Sequence, residues 1–288
     1  MVKFTILHIM NIKDTLIHRM LAVPYVLHTT IRESSAPKAP TLLFIHGIGN
    51  SGEAWHDVIE KLPHTYRVVT IDLLGFGKSP RPSWGRYDAK RQARAVLATY
   101  FRYRLRGRIV VIGHSLGALV AVEIAKMYPL LVKALILCSP PFYKVANERR
   151  LLPTTDTMLR EIYKLAQKRP ESVIRIGQLA VQLGVVNKKF SLRDTDVPVY
   201  MNALESSIIN QTSLEDAQNI HVRTRILYGR LDPVVIAKNL KALAKKNKNI
   251  TVKAINASHE IHTRAYIAAV VQSIQETTDE HGLKAVSK

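Results

Sequence analysis

The sequence predicts an α/β fold, a mostly parallel, doubly wound sheet with an inserted helical cap. Short β-rich runs alternate with longer amphipathic ones along most of the chain, the rhythm of β-α-β-α units. Several of the β-rich runs are apolar throughout, as strands are when helices cover both faces of a parallel sheet. One stretch, from Pro141 to about Ile220, breaks the rhythm with helical patterns, Pro-containing interruptions and no strong strand.

Seven runs read as strands: "YVLHTTI", "TLLFIH", "YRVVTID", "RIVVIGH", "KALILCS", "RTRILYG" and "NITVKAI". Between them "GEAWHDVIEKL", "YDAKRQARAVLATYFRY", "SLGALVAVEIAKMY" and "TRAYIAAVVQSIQET" read as helices. In the interrupted stretch "TMLREIYKLAQK", "PESVIRIGQLAVQLG" and "PVYMNALESSIIN" are helical patterns. About 80 such residues between two sheet strands imply a cap over one end of the sheet. The expected organisation is a core domain of residues 1–140 and 221–288, with residues 141–220 as the inserted cap. The last residues, "TTDEHGLKAVSK", read as a frayed tail.

A chain of 288 residues with 47% hydrophobic content can bury a sizeable core, which argues against disorder away from the ends. No apolar run reaches the roughly 18 uninterrupted residues of a membrane helix. The nearest, "IVVIGHSLGALVAVEIAKMY", is broken by His114, Ser115, Glu123 and Lys126. The opening "MVKFTILHIMNIKD" lacks a small-residue cleavage site, so a signal peptide is not expected. Cys138 is the only cysteine. No intrachain disulfide can form, which fits a reducing compartment and a cytoplasmic location.

Charge is the compositional oddity: 42 basic residues against 22 acidic, a net +20. Between Arg81 and Arg108 nine Arg or Lys face one acid, Asp88, and "FRYRLRGR" interleaves aromatics with arginines. One reading is a weak attraction to an anionic partner, a membrane surface, nucleic acid or an acidic substrate. The other is a solvated basic face, favoured because lysines recur elsewhere, as in "KALAKKNKNITVK".

Two glycine patterns compete for the chemistry. Gly47, Gly49 and Gly52 spell G-x-G-x-x-G after a strand, with Asp72 20 positions beyond, the nominal form of a dinucleotide-binding turn. The second pattern, G-x-S-x-G at Gly113, Ser115 and Gly117, sits between an apolar strand and an amphipathic helix. A nucleophilic serine needs that sharp strand-to-helix turn, with glycines where a Cβ would clash. The helix N-terminus behind it turns the Leu116 N–H towards a developing oxyanion.

Serine needs a base, and the base an orienting acid. In a doubly wound sheet of this kind they follow in the order Ser, acid, His, in loops after later strands. Asp232 lies just past "RILYG" and His259 four residues after "ITVKAI". His262 is the rival base, at the start of the last helix. "HEIH" also suggests zinc, but its histidines are three apart rather than four and no third ligand is evident, so no metal site is expected.

These landmarks, "HGIGNSG", "DLLGFGKS", "GHSLG", "YGRLDPV" and "ASHEIH" in that order, make the chain resemble an α/β-hydrolase fold protein with an inserted lid. The resemblance is to the single-domain esterase and lipase-like kind and spans about Leu21 to Glu276. It implies Ser115 as nucleophile, Asp232 as triad acid and His259 as base. It also implies an oxyanion hole from the N–H of Leu116 and that of Ile48, the residue after His46-Gly47. On this reading the glycine loop serves an oxyanion rather than a pyrophosphate, and Asp72 is structural. Ser258 departs from the glycine that many relatives have before the histidine, and the cap carries no signature tied to a substrate.

The expected function is therefore hydrolysis of a carboxylic ester, or a thioester, of a small apolar molecule through an acyl-enzyme. No cofactor or metal is called for. A carbon–carbon bond hydrolase or an acyltransferase could use the same triad, and a basic hydrolase-like scaffold docking on an anionic partner is the non-enzymatic alternative. In the cap, Leu159, Ile162, Leu183 and Met201 would suit an apolar group, although for each of them helix core is the preferred reading.

Overall fold

The computed structural model describes residues 15–36, 39–105, 107–144 and 197–279. Its seven strands are β1 (Thr29–Arg32), β2 (Thr41–Ile45), β3 (Arg67–Ile71), β4 (Ile109–His114), β5 (Val132–Cys138), β6 (Thr224–Gly229) and β7 (Ile250–Ile255). They form one sheet in the order β1-β3-β2-β4-β5-β6-β7, with β1 antiparallel to β3 and every other pair parallel. Five lie within the expected strand runs; β1 runs one residue past its run, to Arg32, and β5 starts one residue before its own, at Val132. The first is shorter than "YVLHTTI" suggests, because Tyr25 and Leu27 are buried without joining the ladder.

Seven α-helices are described: α1 (His56–Ile59), α2 (Ala89–Arg102), α3 (Leu116–Met127), α4 (Val197–Ala203), α5 (Ser213–Gln218), α6 (Ala237–Lys246) and α7 (Arg264–Asp279). The expected "GEAWHDVIEKL" helix is a 3-10 turn at Gly52–Trp55 running into the single turn of α1. A π-helical segment, Thr15–Met20, precedes β1.

Side-chain alternation divides each central strand between two cores. In β2, Leu43 and Ile45 point to one face and Leu42 and Phe44 to the other. The first face is covered by α2, α3, α5 and α6, through residues such as Val96, Leu119, Leu214 and Leu240. The second is covered by Trp55, Val58 of α1, and Tyr266, Val270 and Ile274 of α7. Helices on both faces leave β2 and β4 buried along their whole length, which is why their sequences are continuously apolar.

Local chemistry sets the helix ends. Asp88 caps α2 by accepting from the Arg91 N–H at 2.9 Å. Ala93, Val96, Leu97 and Tyr100 then form the buried stripe of that helix. Helix α3 is buried from Leu116 to Ala125, as expected for an element between the central strands and its neighbours.

Between β5 and β6 the described elements are helical: α4, a π-helical turn at Leu204–Ile209, and α5. They are tied to the core by Ser207 Oγ donating to Tyr87 O and Gln211 Nε2 donating to Pro141 O, both at 2.7 Å. Of the four apolar cap candidates, Met201 is buried against Val197. Leu159, Ile162 and Leu183 lie outside the described residues.

Candidate active site

The C-terminal ends of four parallel strands meet at one edge of the sheet. There β2 delivers His46-Gly47-Ile48, β4 delivers His114-Ser115, β6 leads to Asp232 and β7 to His259. Ser115 has φ 51° and ψ −116°, a backbone conformation that costs a side-chain-bearing residue on the order of 1–3 kcal/mol. Its N–H donates to Cys138 O at 2.9 Å, fixing the turn against β5. The flanking glycines are sterically required: a Cβ at Gly113 would lie 2.3 Å from Gly117 O, and one at Gly117 would lie 2.2 Å from Ile45 O.

The glycine loop after β2 runs beside this turn. A Cβ at Gly47 would stand 3.2 Å from the Ser115 Cβ. His46 anchors the loop: its Nε2 accepts from the Leu73 N–H at 2.9 Å, so its proton is on Nδ1, which donates to Gly47 O at 2.7 Å. Burial holds this imidazole neutral, lowering its pKa from 6.5 to about 4. Among the described residues, neither the Ile48 nor the Leu116 N–H donates to a backbone or side-chain acceptor. The dinucleotide pattern dissolves here. Asp72 spends its carboxylate on the Gly52 N–H at 2.7 Å, the Lys78 N–H at 2.8 Å and His28 Nδ1 at 3.1 Å.

His259 Nδ1 lies 2.8 Å from Asp232 Oδ2, whose side chain is wholly buried. The second carboxylate oxygen accepts from the N–H groups of Val234 and Val235 at 2.8 and 3.2 Å. Burial alone would raise the Asp232 pKa. The His259 hydrogen bond and charge, the Val234 N–H and the Ser139 hydroxyl outweigh it, and the carboxyl is held below its ordinary range. Burial likewise opposes protonation of His259, but the Asp232 bond and charge, with Glu260 next in line, raise its pKa above 6.5.

Two contacts join the histidine loop to His114, the residue before Ser115, while Ser115 Oγ makes no hydrogen bond to His259. His114 Nε2 donates to His259 O at 3.0 Å, and the two rings have centroids 5.1 Å apart. His262, the rival, is exposed and is not the partner of Asp232. Burial chiefly, together with the nearby Glu260 charge, pushes the Tyr200 phenol up to about 12.

Two features of this arrangement escape a sequence reading. Gly229 ends β6 so close to the histidine loop that a Cβ there would lie 2.2 Å from Ser258 O. Glu260 is buried beside His114 and His259, and each of the three brings a potential metal-ligand atom within 4.8 Å of the others. That grouping shares His259 with Asp232. Nothing local in "HEIH" distinguishes the buried glutamate from a surface one.

A family model described as "alpha/beta hydrolase fold" matches residues 40–264. The chain belongs to the alpha/beta hydrolase fold family. It is 26% identical over 273 residues to the pimeloyl-[acyl-carrier protein] methyl ester esterase of Pseudoalteromonas atlantica, covering 86% of this chain and 99% of that one. It is 30% identical over 110 residues to the Arabidopsis thaliana protein named "Probable lysophospholipase BODYGUARD 2", but that match spans only 23% of the relative's length. Among solved structures it resembles a thermophilic esterase from Thermogutta terrifontis, with a TM-score of 0.66, 20% identity, and 88% and 93% of the two chains covered.

Proposed function

We propose that the chain is a serine esterase acting on a carboxylic ester, or a thioester, of a small apolar molecule. Support comes chiefly from the His259–Asp232 pair at 2.8 Å, on a loop that contacts His114, the residue before the strained turn at Ser115. The relative of comparable length is named as an ester hydrolase, which agrees with this reading.

In the proposed reaction the Ser115 hydroxyl oxygen bonds to the acyl carbon while its proton passes to His259 Nε2. Asp232 holds the ring in the Nδ1–H tautomer and stabilises the imidazolium that forms. The carbonyl oxygen becomes an oxyanion that accepts from the Ile48 and Leu116 N–H groups, each contributing roughly 3–4 kcal/mol to the transition state. Collapse breaks the bond to the leaving alcohol or thiol, which takes the proton from His259. Water then attacks the acyl-enzyme, giving its proton to His259, and collapse releases the acid as His259 returns that proton to the Ser115 oxygen.

A cap of residues 141–220 over this edge is part of the proposal; residues 145–196 lie outside the described residues, and support comes from the helical elements from Val197 to Gln218, tied to Tyr87 and Pro141. A panel of p-nitrophenyl esters of increasing chain length, beside a thioester and a lactone, tests the substrate class. Hydrolysis of short and medium acyl esters that is lost in Ser115→Ala is the expected result. Turnover of none of these by folded protein would overturn the proposal.

A further inference from the structure

Six of the eleven exposed large apolar side chains among the described residues lie in a single stretch: Leu16, Ile17, Met20, Leu21, Val23 and Val26 are 40–72% exposed. The stretch is held in place. His18 stacks on Tyr25 with ring centroids 3.7 Å apart, Tyr25 is buried against Trp84, and the Leu27 N–H donates to Thr99 Oγ1 of α2 at 2.8 Å. Its apolar side chains are therefore presented to solvent by a fixed support.

Beside it is a surface groove of about 570 Å³ lined by Arg19 and Val23 of this stretch and by Arg86, Arg91 and Arg94. Arg91 lies 3.6 Å from Asp88, the cap of α2. Arg19, Arg86 and Arg94 have no carboxylate partner among the described residues. Aliphatic groups thus stand next to guanidinium groups that have no carboxylate partner among the described residues, in a protein of net charge +20.

We propose that this face docks on an anionic lipid bilayer, with the aliphatic side chains entering the acyl boundary and the arginines taking headgroup phosphates. Leu, Ile, Met and Val gain by leaving water for the acyl region. They offer a nucleic acid no stacking surface, whereas guanidinium groups pair with phosphates in two-point fashion. Charge and apolarity are complementary to a lipid surface and to no single feature of a nucleic acid groove. The inference stands apart from the esterase proposal, since neither surface contains Ser115, Asp232 or His259.

Vesicle flotation of the full chain tests it. Phosphatidylcholine vesicles containing about 30% phosphatidylglycerol should carry the protein at low salt, and pure phosphatidylcholine should carry little. Affinity should fall about tenfold or more between roughly 50 and 300 mM salt. The double variants Leu16→Asp with Leu21→Asp, and Arg19→Glu with Arg94→Glu, should each lose about tenfold or more while keeping the wild-type melting midpoint. Lys241→Glu with Lys245→Glu on α6 makes the same change in net charge as the arginine pair and should stay within about twofold. Failure of the wild-type chain to float would overturn the proposal, as would equal loss in the α6 control. So would tight binding to a DNA duplex without flotation.

Discussion

His259 Nδ1 and Asp232 Oδ2 are 2.8 Å apart, and the other oxygen of Asp232 is fixed by the N–H groups of Val234 and Val235. The carboxyl is held below its ordinary range, so it is ionised at neutral pH and the bond runs from Nδ1–H to carboxylate. This leaves Nε2 as the basic nitrogen. Asp232→Asn keeps the shape but offers a donor in place of an acceptor, and it should reduce kcat by about ten-thousand-fold. A loss of less than about tenfold in steady-state kinetics would remove Asp232 from the proposed triad.

The same pair sets the pH dependence. The proposed base works only when neutral; burial opposes the charged imidazole, but Asp232 and Glu260 outweigh it, raising its pKa above 6.5. The acid limb of kcat/KM should therefore rise through a pH above 6.5. Glu260→Gln removes one of these charges, so the limb should move to lower pH with the plateau nearly unchanged. A limb that stays in place, or moves up, would show that Glu260 does not act on His259.

His46 gives a stability prediction of opposite sign. Its folded pKa, about 4, lies below the unfolded value of 6.5. Between those values the unfolded chain binds a proton that the folded protein refuses, so stability falls as the pH drops from 6.5 to 4. A shift of that size corresponds to about 3 kcal/mol. Urea unfolding across this range should show the slope, and His46→Gln should flatten it, at a stability cost from the altered hydrogen bonds to Leu73 N and Gly47 O.

The backbone strain at Ser115 can be read directly. Ser115→Ala and Ser115→Gly both remove the hydroxyl and should both cost about a million-fold in turnover. Only glycine relieves the positive φ. The Gly variant should be the more stable of the two by about 1 kcal/mol, after its greater unfolded-state entropy is offset. Equal melting midpoints would mean that the turn stores no strain.

Much of this was legible before any coordinates because burial on both faces writes itself into composition. The continuous apolarity of "TLLFI" and "IVVIGH" marks β2 and β4 as central strands. Ser115 and its flanking glycines were legible because the turn demands specific residue types, and the distances at Gly113 and Gly117 give the steric reason. Helix α6 was not picked out: its lysines read as a charge run, while Leu240 and Leu243, three apart and buried, carry the helical signal. Glu260 and Gly229 were opaque for a different reason. Their roles depend on residues brought close by the fold, His114 in one case and the Ser258 carbonyl in the other.

Covalent labelling with a fluorophosphonate probe tests the central claim most directly, since the probe reacts with an activated serine and not with an ordinary one. Peptide mass spectrometry should find the adduct on Ser115 in the wild-type chain, with labelling greatly slowed in His259→Ala. Well-folded protein that carries no adduct, or carries it only on another residue, would contradict the account.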